Sequence, residues 1–163
     1  MNNTEPLNDL HHKIADLIRA DNIFSLLSQS SLKNETMIDT NGESLLYIIL
    51  NNMGDSVFVK DQDSTLLLVN DAFCNMFELS RGQIIGQKLL ENVLPHEKDS
   101  FLEIDRHVLA TGIESIKEES LTLSSGVTRI ISTRKSRFFD ASGKRFLIGV
   151  VRDVTEQKKQ RIL

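Results

Sequence analysis

Residues 127–155, VTRIISTRKSRFFDASGKRFLIGVVRDVT, decide the fold. Two runs rich in β-branched and aromatic residues, 127–139 and 146–153, flank Asp140-Ala141-Ser142-Gly143. Such side chains suit a pleated surface, and a polar turn ending in glycine lets the chain double back, so the stretch reads as an antiparallel hairpin. Working upstream, residues 115–123 form another strand, joined to the hairpin through Ser124-Ser125-Gly126. Before it, residues 96–110 place Phe101, Leu102, Ile104, Val108 and Leu109 at helical spacing, and Thr111-Gly112 stops that helix. Residues 71–78 and 80–85 read as short helical turns closed by Gly86. Residues 56–60 and 65–70 are strands around the polar turn 61–64. Neighbours joined by tight turns are antiparallel. The reading is α+β: a five-stranded antiparallel sheet with helices on one face.

Ahead of this unit the pattern is helical only. Residues 5–20 carry Leu7, Leu10, Ile14, Leu17 and Ile18 on one helical face, residues 22–32 follow behind Asp21, and residues 43–53 form a third helix. The expected division is an N-terminal helical extension (1–42), a domain (43–155) and the start of a C-terminal helix (156–163).

Composition removes several classes of function. A net charge of −4 and a pI of about 5.6 offer no broad basic surface for nucleic acid. No apolar run approaches the roughly 18 residues of a membrane span. The start of the chain lacks the basic and apolar regions of a signal peptide, and Cys74 is the only cysteine; together these point to the cytoplasm. Neither a GxxxxGK[ST] phosphate loop nor a GxSxG nucleophile turn is present. Asp61/Asp63 and Glu118/Glu119 read as turn and strand-surface acids. The chain reads as a non-enzyme, with any catalysis on another domain.

Four stretches, taken together, resemble the PAS domain of the sensory-box type found in bacterial signal-transduction proteins. They are residues 46–61 (LYIILNNMGDSVFVKD), 67–77 (LLVNDAFCNMF, with an Asn-x-Ala-Phe pattern), Ile84-Ile85-Gly86, and 139–158 (FDASGKRFLIGVVRDVTEQK), whose Asp153-Val154-Thr155 is similar to the family's exit motif with Val for Ile. The resemblance implies a sensory domain that detects a small molecule or partner and relays the signal through its C-terminal helix. The effector would be a histidine kinase of a two-component system, or a diguanylate cyclase. It also implies a cavity between sheet and long helix, homodimer formation, and signal-exit roles for Asp153 and Thr155. The apolar positions expected near that cavity are Phe58, Leu68, Phe73, Phe77, Phe101, Ile104 and Leu121.

The two best-known cofactors of such cavities are disfavoured. The flavin-binding cysteine motif is missing, since Cys74 sits in Ala72-Phe73-Cys74-Asn75. The position of the family's haem-ligating histidine is Phe101, which cannot bind iron, while His96 and His107 stand elsewhere on the helix. No cluster has metal-ligand spacing, so no cofactor is expected.

Side chains alternate along residues 127–139. One face carries Ile130, Ser132, Arg134, Ser136 and Phe138; the other carries Arg129, Ile131, Thr133, Lys135 and Arg137. Either face brings a cation inside. The expectation is that Ile130, Ser132 and Phe138 face in, with Arg134 at the rim available to a small anionic ligand. Thr155 is expected to cap the last helix through its hydroxyl, and Asp153 to pair with a nearby cation. A second reading is a ligand-free dimerisation or scaffolding module built on the 5–20 stripe.

Overall fold

The computed structural model describes residues 48, 50–88 and 90–162. The extension 1–42 and its helices at 5–20 and 22–32 lie outside the described residues. Of the helix expected over 43–53, the described residues 48, 50 and 51 are helical. The elements in chain order are β1 (Ser56–Asp61), β2 (Leu66–Val69), α1 (Asp71–Phe77), α2 (Arg81–Ile84), α3 (Pro95–Thr111), β3 (Ser115–Thr122), β4 (Thr128–Phe139), β5 (Arg145–Asp153) and α4 (Thr155–Ile162).

The strands lie in the order β2-β1-β5-β4-β3, with every neighbouring pair antiparallel. The two local sets foreseen from the turns are welded by β1 and β5, where Ser56 stands opposite Val151 and Asp61 opposite Phe146. Asn70 secures the crossing from sheet to helices. Its Oδ1 accepts from the amides of Val57 (2.9 Å) and Phe73 (3.1 Å), and its Nδ2 donates to the carbonyls of Leu50 (2.9 Å) and Asp55 (2.7 Å). One buried side chain thereby caps α1 and pins it to β1. α2 starts with a reciprocal capping box between Ser80 and Gln83.

α3 starts at Pro95, whose missing N–H would have been unpaired there anyway, and ends at Gly112 in the left-handed region (φ 72°). Its last carbonyls are met by cations. Arg137 Nη1 donates to the carbonyls of Leu109 (3.2 Å) and Ala110 (3.3 Å), and Arg145 Nη1 to that of Leu109 (3.3 Å). A positive charge at the negative end of a helix dipole is stabilising. Arg137 therefore serves the end of α3.

Both faces of the sheet are apolar and buried. The face under α1, α2 and α3 contributes Phe58, Leu66, Val69, Leu121, Ile131, Leu147 and Val151 to the core, joined by Phe73, Phe77, Ile84, Val108 and Leu109. The opposite face carries Val57, Val59, Leu68, Phe138, Phe146, Ile148 and Val150, none more than 2% exposed. Phe138 and Phe146 stack there at 5.5 Å between centroids. This overturns the expected orientation of β4. Lys135 stands opposite Gly149, which stands opposite Phe58, so Ile131, Thr133, Lys135 and Arg137 look toward the helices. Ile130, Ser132, Arg134, Ser136 and Phe138 look away. Apolar content could not choose between the faces, because each carries an apolar share.

Candidate functional site

Between the sheet and α3 lies a cavity of about 60 Å³, walled by Phe58, Leu66, Phe73, Phe77, Leu90, Phe101 and Ile131 and carrying Lys60, Thr133 and Lys135 from the sheet. Phe73 and Phe77, one turn apart on α1, stack at 4.3 Å, and Phe58 tilts against Phe73 at 5.7 Å. Gly149 makes room for Phe58: a Cβ there would overlap the ring.

One polar cluster stands in this apolar setting. Asp105, at the middle of α3 and fully buried, receives Lys60 Nζ on Oδ2 at 2.5 Å and Lys135 Nζ on Oδ1 at 2.7 Å. Lys135 also donates to the Phe101 carbonyl at 3.2 Å. Its ammonium lies 5.8 Å from the Phe101 ring centre, and that of Lys60 5.4 Å from the Phe58 ring centre, where ring faces attract cations. Burial alone would raise the Asp105 carboxyl, but the two ammonium groups overcome it and hold it below the usual carboxylate range. Burial lowers Lys60, with the Lys135 charge acting the same way against the pull of Asp105. The cluster fastens α3 to β1 and β4 at once.

Four of the expected cavity residues, Phe58, Phe73, Phe77 and Phe101, line the cavity. Leu121 is in the same core without reaching the cavity wall, and Ile104 packs half-buried against that core. Leu68 and Arg134 are corrections. Leu68 pairs with Val59 on the opposite sheet face. Arg134 is on that face too, with Nε and Nη2 on the two carboxylate oxygens of Glu114 at 2.5 and 2.7 Å. The inward cation of β4 is Lys135. Sequence reasoning missed Lys60 and Asp105. Two signals existed: Lys60 is two residues from inward Phe58, and Asp105 is one turn from both Phe101 and Leu109 on the stripe α3 buries.

His96 and His107 are exposed on α3, and neither lines the cavity. Cys74 is half-buried on α1, where burial pushes its thiol up. Among the described residues no group of three His, Cys, Asp or Glu side chains could hold a metal ion. Among the described residues that line the cavity there is no histidine, cysteine, methionine or tyrosine.

At the end of the sheet, Thr155 does a different job from the one expected. The Val154 carbonyl accepts the first helical bond of α4, from the Lys158 amide at 3.0 Å. The Thr155 hydroxyl accepts from the Ile130 amide of β4 at 2.9 Å and donates to Asp153 Oδ1 at 2.6 Å, which also accepts from the Thr155 amide at 3.0 Å. The other Asp153 oxygen lies 3.8 Å from Arg129 Nη1, a cation that the sequence reading left unnamed. Lys158 reaches Glu118 of β3 at 2.5 Å. The exit is thus clasped to β4, the strand that also forms one wall of the cavity.

The family described as PAS fold matches residues 50–159. The chain belongs to the PAS family. Curated relatives include an uncharacterized protein, y4lL, of Sinorhizobium fredii, 30% identical over 133 residues that make up 80% of this chain and 16% of that protein. A diguanylate cyclase of Vibrio cholerae is 27% identical over 125 residues, 75% of this chain and 39% of its own length. This chain therefore spans well under half of either relative. Among solved structures, a PAS domain from a two-component sensor histidine kinase superposes with a TM-score of 0.53 at 22% identity, over 67% of this chain and 93% of that one. PAS membership establishes the five-stranded fold and the sensory class of the domain. No described helix is long and apolar enough to cross a membrane.

Proposed function

We propose that this PAS domain reads the occupancy of its Lys60–Asp105–Lys135 cavity and relays it through α4 to an effector on the same or a partner chain. The observation that carries the reading is the double duty of β4. Ile131, Thr133 and Lys135 face the cavity, while Arg129 and the Ile130 amide hold Asp153 and Thr155. A change in how α3 seats on Lys60 and Lys135 shifts the strand to which the exit is tied. A ligand can move that equilibrium only by its differential affinity for two packings. The effectors of similar proteins suggest a histidine kinase or a diguanylate cyclase, and catalysis is assigned to that effector. Residues 1–42 are assigned to a helical extension, 43–155 to the sensor and 156–163 to the start of the signalling helix, all in the cytoplasm. The input is a small anionic molecule, met by Lys60 and Lys135 in place of Arg134.

The test is the output of the full-length protein. Asp153→Ala removes both bonds to Thr155 and the partner of Arg129 while leaving the cavity untouched. The expected result is an effector that no longer follows its stimulus, in a protein that still folds. An unchanged response refutes the reading. A homodimeric scaffolding role has one observation in its favour: Ile113 and Ile116, 63% and 65% exposed, lie on and beside the edge strand β3. Sedimentation of Ile116→Lys against the parent chain separates the two, because a scaffold built on that edge becomes monomeric.

A further inference from the structure

The charge and donor inventory of the cavity names the class of molecule it takes. An ammonium group has three N–H donors. Lys60 spends one of them on Asp105, and Lys135 spends two, on Asp105 and the Phe101 carbonyl. Among the described residues the remaining donors have no acceptor, and the Thr133 hydroxyl, on the same wall, makes no hydrogen bond. Asp105 neutralises one of its two lysines. The second buried charge has no counter-ion in the cluster, an arrangement that is costly until an anion supplies one. Lys88 and Lys98 also line the cavity, against Glu119, whose Oε1 is taken up by Ser100 at 3.3 Å and Lys117 at 3.7 Å. The field at the entrance therefore favours anions.

Size and wall chemistry narrow the class. By the measure in which one water occupies about 10–15 Å³, a cavity of about 60 Å³ holds on the order of four to six water-sized groups. The Lys60–Asp105–Lys135 cluster has one positive charge in excess, which matches one negative charge, and the wall facing it is built of phenylalanine rings. We propose that the cavity binds a short monocarboxylate of about four to six non-hydrogen atoms, its carboxylate on Lys60, Lys135 and Thr133 and its hydrocarbon end against Phe73, Phe77 and Phe101. This deepens the sensory reading above by naming its input.

The experiment follows the melting temperature of the 163-residue chain in sodium butyrate, with sodium chloride at matched ionic strength as the reference. Sodium succinate and 1-butanol are the comparison ligands. A ligand that binds only the folded chain raises the midpoint by about 5 °C at ten times its dissociation constant in a domain of this size. The expected result is such a rise with butyrate, less than a third of it with succinate or butanol, and none in Lys60→Met. If Lys60→Met fails to fold, Thr133→Val replaces it, with butyrate weakened about tenfold. No rise with butyrate, an equal rise with butanol, or an undiminished rise in the folded variant overturns the assignment. Failure here with Asp153→Ala still uncoupling the effector removes the ligand class and leaves the sensory reading standing. Butyrate binding with a normal response from Asp153→Ala does the reverse.

Discussion

Asp105→Asn is the substitution that bears hardest on the cavity. The amide keeps the shape of the carboxyl and removes its charge. Lys60 and Lys135, 2.5 and 2.7 Å from its oxygens, are then two buried ammonium groups with no counter-charge between them. Breaking a buried pair by removing one partner costs about 3–5 kcal/mol. Against a total of about 5–15 kcal/mol for a domain, that is a large fraction. At roughly 4 °C per kcal/mol the midpoint falls by about 12–20 °C near neutral pH. The variant lacks the charge that holds Lys60 against burial, so Lys60 sheds its proton more readily than in the parent. Its deficit should therefore shrink as pH rises toward the ordinary lysine range near 10.4. Thermal unfolding of both chains by circular dichroism at pH 6 and pH 9.5 measures the gap. A gap of less than about 4 °C at pH 6, corresponding to about 1 kcal/mol, would refute the claim that Asp105 carries the two lysines. A gap that does not narrow at pH 9.5 would refute the protonation part alone.

Lys60→Met should be mild, within about 1 kcal/mol, because Asp105 keeps Lys135 and an apolar stem of similar length fills the site. The same variant tests linkage. With Lys60 lowered in the folded state, the unfolded chain binds the extra proton between that lowered value and about 10.4, so parent stability should climb with pH across that window relative to Lys60→Met. Gly149→Ala drives a methyl group into the Phe58 ring and should cost about 2–3 kcal/mol in urea unfolding. Asn70→Ala strips four hydrogen bonds, three of them buried, that join the start of α1 to β1 and the segment before it, and a loss of about 2–4 kcal/mol is expected by the same assay.

The strands and the long helix were legible because their signals are local. Alternation, turn residues and the Thr111-Gly112 stop lie within a few positions of one another. Strand order was not, since the β1–β5 pairing joins residues some 90 apart and leaves no local mark. The orientation of β4 was illegible for a different reason. Orientation is read from which face is apolar, and here Ile131 is buried on one side and Phe138 on the other. Half of the candidate site was recovered through its phenylalanines. The polar half was hidden because a buried Lys or Asp looks like a surface residue until its partners, 30 and 45 positions apart in sequence, are brought together.

The β1–β5 pairing has a consequence for how such a domain is built into longer chains. With Ser56 opposite Val151, the backbone arrives and departs at the same end of the sheet, on adjacent central strands. The domain then behaves as a cassette. It can be set into a longer polypeptide, or stacked in tandem, without spreading the segments on either side apart. Whatever precedes residue 56 and whatever follows residue 153 leave as near neighbours, so a twist of one central strand is felt by both at once.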